Sequence, residues 1–469
     1  MEGPYMSAIE AYGEMQRLAS EGRADELLEY GNRATDMYPD NPDILCLMAA
    51  AHADKGNHYM AGLLFRQVLE LSPDAYEVWN SLGREWSKIA ENVPEYEDKC
   101  REAFEKEIDL HPDNANPHTG LSFYHLQRGE FEQAGECAKR ALKLDPEGSA
   151  GVFNLGIAML ALHMWEEGWW AYDQNLGPRY NNSPPPDRYG LPKWEGQKGK
   201  VIVQAEQGMG DEIMFSSMIP DLKKDADVII DTAPRLKGLF ERSFGCPTYP
   251  TRYGDPRYWL AGSGAEYWIP MGSLGAFYRT KAEDFPATPY LKADPQRRLQ
   301  WRALFDSMGS KPKIGIAWNG GVPATGKVHR SLRQFDIEPI LEFDADWINL
   351  EYKKGENPDW VHLFPHATRT QDYDDTAALV AELDLVISVT TAVIHLAGAM
   401  GVKTWCMVPE RPTWRYGTSG DRLPWYDSVE LLRKDGAWPI EEIRQRLTNM
   451  GLSKTDRADL HAPFILEAA

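Results

Sequence analysis

The chain has 469 residues, enough for two to four domains each with its own core, so several domains are expected. Acidic residues number 71 against 50 basic ones, a formal charge of -21, and such a surface grips a polyanion poorly, which argues against nucleic acid and anionic membrane as partners. The five cysteines (Cys46, Cys100, Cys137, Cys246, Cys406) are far apart, odd in number and without a CxxC pair, so neither a disulfide framework nor a zinc site is suggested and a reducing cytoplasm fits.

The N-terminal "MEGPYMSAIEAYGEM" has no basic segment followed by an apolar one. No apolar run approaches the roughly 20 residues of a membrane helix, so no membrane span and a soluble, unprocessed, cytoplasmic protein are expected. The first third repeats. Pro39, Pro73, Pro112 and Pro146 close "DMYPDNP", "ELSPDAY", "DLHPDNA" and "KLDPEGS" at spacings of 34, 39 and 34. The extra five residues fall in "IAENVPEYED", between the two helices of one unit. Gly22, Gly56 and Gly129 recur in the interhelix turn, and Ala61 and Ala134 recur on the second helix. These units, over about 8 to 148 with a last partial unit from Ser149 to about Gly177, resemble the tetratricopeptide repeat. Stacked helix pairs of that kind form a solenoid with a groove, which implies a peptide or partner protein as occupant; a purely stiffening or dimerising role is the alternative. The last unit departs from the pattern: Trp165, Trp169 and Trp170 stand where a stacking helix carries small residues, which suggests docking onto the domain that follows.

A proline-rich stretch, "GPRYNNSPPPDRYGLPKWEG", marks a boundary near 178 to 196. From Lys200 short apolar runs alternate with helical stretches, the mark of parallel sheets covered by helices. Strands are read in "KVIVQAE", "DVIID" and "EYWIP", then, after a connecting helix in "YLKADPQRRLQWRALFDSMG", in "KIGIAW", "DWINLE", "LDLVIS" and "VKTWCMV". Two such units in tandem imply a cleft. Open parallel sheets bind ligands beyond the carboxyl ends of their strands, and three loops qualify: "QGMGDE", "NGGVPATGKVHR" and "VTT".

The segments "EQGMGDEIMF", "YWIPMGSLGAF", "IGIAWNGG", "DLVISVTTAVIHLAGAMGVKTWCMVPERPTWR" and "PWYDSVELLR" resemble, collinearly over about 195 to 447, the glycosyltransferase domain that follows tetratricopeptide repeats in many bacterial proteins, a relative of the lipopolysaccharide heptosyltransferases. The resemblance implies an α/β GT-B fold, two Rossmann-like lobes with a cleft between them, behind an all-α solenoid. The expected domains are the solenoid over 1–177, the linker over 178–196, an acceptor-side lobe over 197–292 and a donor-side lobe over 293–469. It also implies inverting transfer from a nucleotide-sugar donor without a metal or other cofactor, to a protein or peptide acceptor held on the repeat groove.

By that resemblance Asp211 is the general base on the acceptor hydroxyl, a task a carboxylate suits. The bland reading is that Asp211 complements the helix dipole, worth under about 1 kcal/mol. Gly208 and Gly210 let the backbone approach a sugar, and Glu212 of the acceptor loop, next to Asp211 but pointing elsewhere on the helix, is the reserve base. On the donor side, Thr390 and Thr391 start a helix whose free amides suit a diphosphate. Family members usually have Asp-Thr where this chain has Thr390 and Thr391, a departure that implies an altered donor preference or lost activity. His395 matches the family's histidine and bonds a phosphate or ribose oxygen, or else is a packed core residue. Gly320, Gly321, Lys327 and Arg330 form a glycine loop with two cations that stabilises a departing diphosphate, or else an ordinary solvated loop. Arg415 lies near the cleft, and its neighbour Trp414 is read as holding the lobe together. Asp225-Ala-Asp227 and Asp344-Ala-Asp346 precede their strands, at the wrong edge for a metal-dependent site. The competing reading of the whole chain is a scaffold with a transferase-like lobe that has lost turnover.

Overall fold

The computed structural model of the protein describes residues 7–174, 188–321, 327–352, 355, 357, 358 and 360–455. The first part of the proline-rich linker and the "VPATG" portion of the second glycine loop lie outside the described residues, as does the side chain of Lys327. The chain forms two compact units, Met1–Ala158 and Met159–Ala469.

The first unit is an array of helix pairs: Ala8–Ser20 (α1) with Ala24–Met37 (α2), Pro42–Asp54 (α3) with His58–Leu71 (α4), Val78–Ala90 (α5) with Tyr96–Leu110 (α6), and Ala115–Arg128 (α7) with Phe131–Leu144 (α8). Ser149–Ala161 (α9) follows. These are tetratricopeptide-like repeats, and their devices are local. Gly22, Gly56 and Gly129 turn the chain between paired helices at φ of 69°, 76° and 75°, a region that costs a side chain but not glycine. Asn41 and Asn114 cap α3 and α7 through their side chains. Gly83 and Gly120 each face Phe104: an added Cβ would lie 2.8 Å from the ring at Gly83 and closer still at Gly120, so one aromatic locks three helices together. The five extra residues fall between α5 and α6, as the spacing requires.

Trp165–Gln174 (α10) opens the second unit and is built into it. The last helical unit of the sequence reading is therefore divided, with its second helix on the α/β side. Trp169 is fully buried, its ring edge-on to Trp414 at 5.9 Å, Phe215 at 6.1 Å and Trp425 at 6.2 Å. It lies on Gly275, where a Cβ would overlap the indole. Trp170, on the opposite face, is 54% exposed.

Two sheets follow. The first contains Lys200–Gln204 (β1), Asp227–Asp231 (β2), Thr248–Tyr249 (β3) and Tyr267–Pro270 (β4), all parallel in the order β3-β2-β1-β4. Its helices are Met209–Phe215 (α11), Ile219–Asp225 (α12), Lys237–Phe244 (α13), Arg257–Ser263 (α14) and Gly275–Tyr278 (α15). Between α11 and α12 the chain makes a tight turn at Ser216–Met218, just ahead of Pro220, which cannot donate to a preceding turn. The described end of the linker is no free tether: Tyr189 and Trp194 are buried, and the Tyr189 hydroxyl donates to Asp231 at 2.6 Å.

Pro295–Ser307 (α16) leads to the second sheet: Lys313–Ala317 (β5), Asp346–Asn349 (β6), Leu385–Val389 (β7), Thr404–Val408 (β8), Arg422–Leu423 (β9) and Tyr426–Arg433 (β10). The order is β6-β5-β7-β8-β10-β9, parallel except for the β9–β10 pair. Gln334–Leu341 (α17), Pro365–Thr368 (α18), Tyr373–Val380 (α19), Ala392–Met400 (α20) and Ile440–Asn449 (α21) complete it. All five residues of β5, β7 and β8 are buried, as parallel strands covered on both faces must be. Strand order reverses between β1 and β4 in the first sheet and between β5 and β7 in the second. Loops leaving the carboxyl ends at those reversals are where open parallel sheets leave a crevice.

Candidate functional site

The crevice loops meet. After β1 the chain passes through Gln207, a non-glycine residue at φ 62°, a strained conformation that surrounding contacts must hold. The buried Arg252 supplies one such contact by donating to the Gln207 carbonyl. Gly208 then caps α11, and its amide donates to Asp211 Oδ2 at 3.0 Å. The other oxygen, Oδ1, accepts from Arg415 of the second sheet's side, with Nε at 2.5 Å and Nη2 also in contact. Asp211 is largely buried, with 11% of its side chain exposed against 18% for Arg415. Burial alone would lower the Arg415 pKa, but the Asp211 carboxylate overrides it and the guanidinium is held more firmly charged than usual.

Gly210 is where α11 touches α20: a Cβ there would lie 3.0 Å from His395 Cδ2 and 3.4 Å from Ala392 Cα. His395 is buried. Its Nδ1 faces the Tyr426 hydroxyl at 3.2 Å and its Nε2 faces the Tyr416 hydroxyl at 3.4 Å. Burial first, and Arg415 second, push its pKa down to about 3, so the ring is neutral at physiological pH. Both ring nitrogens are engaged by phenols, so the packed reading describes its position, and it communicates with the site through Tyr416 and Tyr426.

The second glycine loop returns on itself. Gly320 donates its amide to Ser331 Oγ at 3.0 Å and Leu332 donates to the Trp318 carbonyl at 2.9 Å. A Cβ on Gly320 would strike the Arg330 carbonyl at 2.5 Å, so only glycine allows this closure. Arg330 follows this closure: burial lowers its pKa, Tyr416 acts in the opposite sense, and the charges of Arg415 and Asp211 lower and raise it respectively. Gly321 stands at φ 68°. Lys327 begins a short turn that ends at Arg330. At the end of β7, Thr390 is buried with its Oγ1 unpartnered among the described residues, and Thr391 caps α20 while its hydroxyl lies 3.2 Å from Ser388 Oγ.

Glu212 is placed differently from its sequence assignment to the acceptor loop. It is fully buried inside the first sheet's layer, paired with Arg252 and accepting from Thr232 Oγ1 at 2.7 Å and the Ala233 amide at 3.1 Å. One residue along a helix turns the side chain by about 100°, which separates it from Asp211. Trp414 packs against Trp169 of α10 and stacks on Phe215 of α11, so the contacts it makes reach beyond its own lobe. The two Asp-x-Asp pairs lie at the amino ends of β2 and β6, where Asp344 and Asp346 pair with Lys311 and Lys313 and Asp225 accepts from the Tyr278 hydroxyl.

Four groups escaped the sequence reading. Glu206, buried after β1, accepts from the Gly272 amide at 2.9 Å, joining the loops that follow β1 and β4. A Cβ on Gly272 would meet Glu206, Tyr172 and Phe215 together, which sets Tyr172 of α10 at the site wall. Tyr416 and Tyr426 complete the His395 pocket. Tyr416, next to Arg415, and Glu206, directly before the first crevice loop, carried positional hints; Tyr172 and Tyr426 are brought in by tertiary contacts.

No family model matches the chain. Protein FlbA of Caulobacter vibrioides is 29% identical over 441 residues, an alignment spanning 85% of this chain and 71% of FlbA. Among solved structures, a thermophilic TPR protein of Thermus thermophilus, TTC0263, covers 36% of this chain and 90% of its own at 18% identity and a TM-score of 0.33. MamA of Desulfovibrio magneticus covers 36% of this chain and 91% of its own at 22% identity and a TM-score of 0.31. YrrB, described as a TPR protein with an unusual peptide-binding site, covers 37% and 87% at 13% identity and a TM-score of 0.30.

Proposed function

We propose that the α/β unit is a metal-independent, inverting glycosyltransferase of the GT-B kind, taking a sugar from a nucleotide-sugar donor, and that the repeats recruit a protein or other large acceptor. One observation carries this reading: Asp211, from the loop after β1, is ion-paired with Arg415, from a loop of the second sheet, and the charges of both act on Arg330. That is the polarity transfer requires. Asp211 takes the proton of the acceptor hydroxyl as its oxygen bonds to the anomeric carbon, the bond from that carbon to the nucleotide's phosphate oxygen breaks, and the guanidiniums receive the diphosphate. Arginine suits this because its planar fork matches phosphate oxygens and its charge is permanent.

A screen of the purified protein by calorimetry and thermal shift against UDP, GDP, ADP, CMP and dTDP sugars, with and without EDTA, tests it. Binding at micromolar affinity, indifferent to EDTA, is expected for one nucleotide. Failure of all five would move the assignment to a transferase-like scaffold. Two features favour that second reading: Thr390 replaces the acid of the resembling family, and Asp211 is already engaged by Arg415.

A further inference from the structure

Resting on the transferase reading, we propose that the Asp211–Arg415 pair is a ligand-exchanged latch: an anionic diphosphate entering the second sheet's loops takes the guanidinium, and this exchange frees Asp211 to act on the acceptor.

Both Asp211 oxygens are engaged in the structure, one by the Gly208 amide and one by two nitrogens of Arg415. A hydroxyl that is to hand over its proton must come within hydrogen-bond reach of one of these oxygens. The Gly208 contact belongs to the start of α11 and holds the carboxylate in place. The Arg415 contact joins the two sheets' loops and is the one a ligand can replace. Two further features at the same edge suit an incoming anion. The charges of Arg415 and Asp211 both act on the half-buried Arg330, so a second guanidinium stands within electrostatic range of the pair, while the nearby His395 is neutral. Thr390 Oγ1, one residue before the cap of α20, is a buried hydroxyl unpartnered among the described residues. A diphosphate brings more charge and more acceptor oxygens than one carboxylate, so the exchange favours the ligand. The latch ties the availability of the base to donor occupancy. An acceptor arriving first finds Asp211 engaged, which disfavours wasteful encounters without donor.

The test is a double-mutant cycle read by calorimetric titration with inorganic pyrophosphate, using the full chain as wild type, Asp211→Asn, Arg415→Gln and the double variant. The thermal midpoint of each serves as a folding control, and Arg415→Met, which keeps the bulk and removes the charge, replaces Arg415→Gln if the latter does not fold. With a latch, Asp211→Asn tightens pyrophosphate binding by about tenfold, the scale of a close charge pair, because no carboxylate has to be displaced. That gain vanishes when Arg415 is also replaced. A gain that persists in the double variant would reflect general repulsion and overturn the latch, as would no gain at all. Nucleotide-sugar binding or transfer in wild type alongside a cycle without coupling would sink the latch and leave the transferase reading standing. If neither pyrophosphate nor any nucleotide sugar binds wild type or Asp211→Asn, both are wrong.

Discussion

His395 is buried, and that has a measurable consequence. The ring lies between Tyr416 and Tyr426 with Arg415 and Asp211 nearby, and burial holds its pKa at about 3, below the ordinary value of 6.5. The unfolded chain therefore binds the proton more readily than the folded one. The stability contributed by the neutral packed ring is fully present above about pH 6.5 and is lost as the pH falls toward 3. His395→Gln removes this titration. The difference in urea midpoint between wild type and His395→Gln should be largest at pH 7 and shrink at pH 5 and pH 4; a difference constant with pH would mean that the ring is not buried in its neutral form. His52, His118 and His163 are also depressed by burial, but they are common to both proteins and cancel.

At the scale of the element, α10 is the instructive case. Its ten residues follow the repeat's register, yet its aromatic face closes the α/β unit and puts Tyr172 at the site wall. Trp169 has no solvent exposure and meets four aromatic rings, whereas Trp170, its neighbour in sequence, is more than half exposed. Trp169→Ala should cost about 3–5 kcal/mol in urea unfolding, the range for deleting a buried large aromatic, while Trp170→Ala should cost under about 0.5 kcal/mol. Equal effects would mean that α10 is not seated as described. Gly275, lying under the Trp169 indole, explains why this contact tolerates no side chain on the facing helix.

For the whole molecule, the position of the unit boundary decides where the chain can be cut. Removing residues 1–158 leaves α10 in place, and removing 1–177 takes Trp165, Trp169 and Tyr172 from the α/β core. The shorter deletion should melt cooperatively and keep any nucleotide-sugar affinity, with loss confined to acceptor recognition. The longer one should melt at least several degrees lower or aggregate, since a few kcal/mol shifts the midpoint of a large domain by that much. Identical melting of the two fragments would overturn the assignment of α10. Among the described residues no helix is long and apolar enough to cross a membrane.

What the sequence determined by itself was everything periodic or local. The repeat followed from proline and glycine in phase, because a 34-residue helix pair must turn at the same places each time. Seven strands of the α/β unit were legible as short apolar runs, because parallel strands bury both faces. The two-residue strands β3 and β9 have no periodicity to read, and β10 alternates too irregularly at Asp427–Ser428 to stand out. The three crevice loops were legible too, since each follows a buried strand. Tertiary structure decided the rest. Helix periodicity already aims the adjacent acids Asp211 and Glu212 in different directions, but only packing supplied their partners, Arg415 for one and Arg252 for the other. His395 was ambiguous until Tyr416 and Tyr426 were seen to occupy its nitrogens. Arg415 lies 204 positions from the carboxylate it holds, a contact with no local pattern, because its geometry is set by two sheets meeting and not by either segment alone.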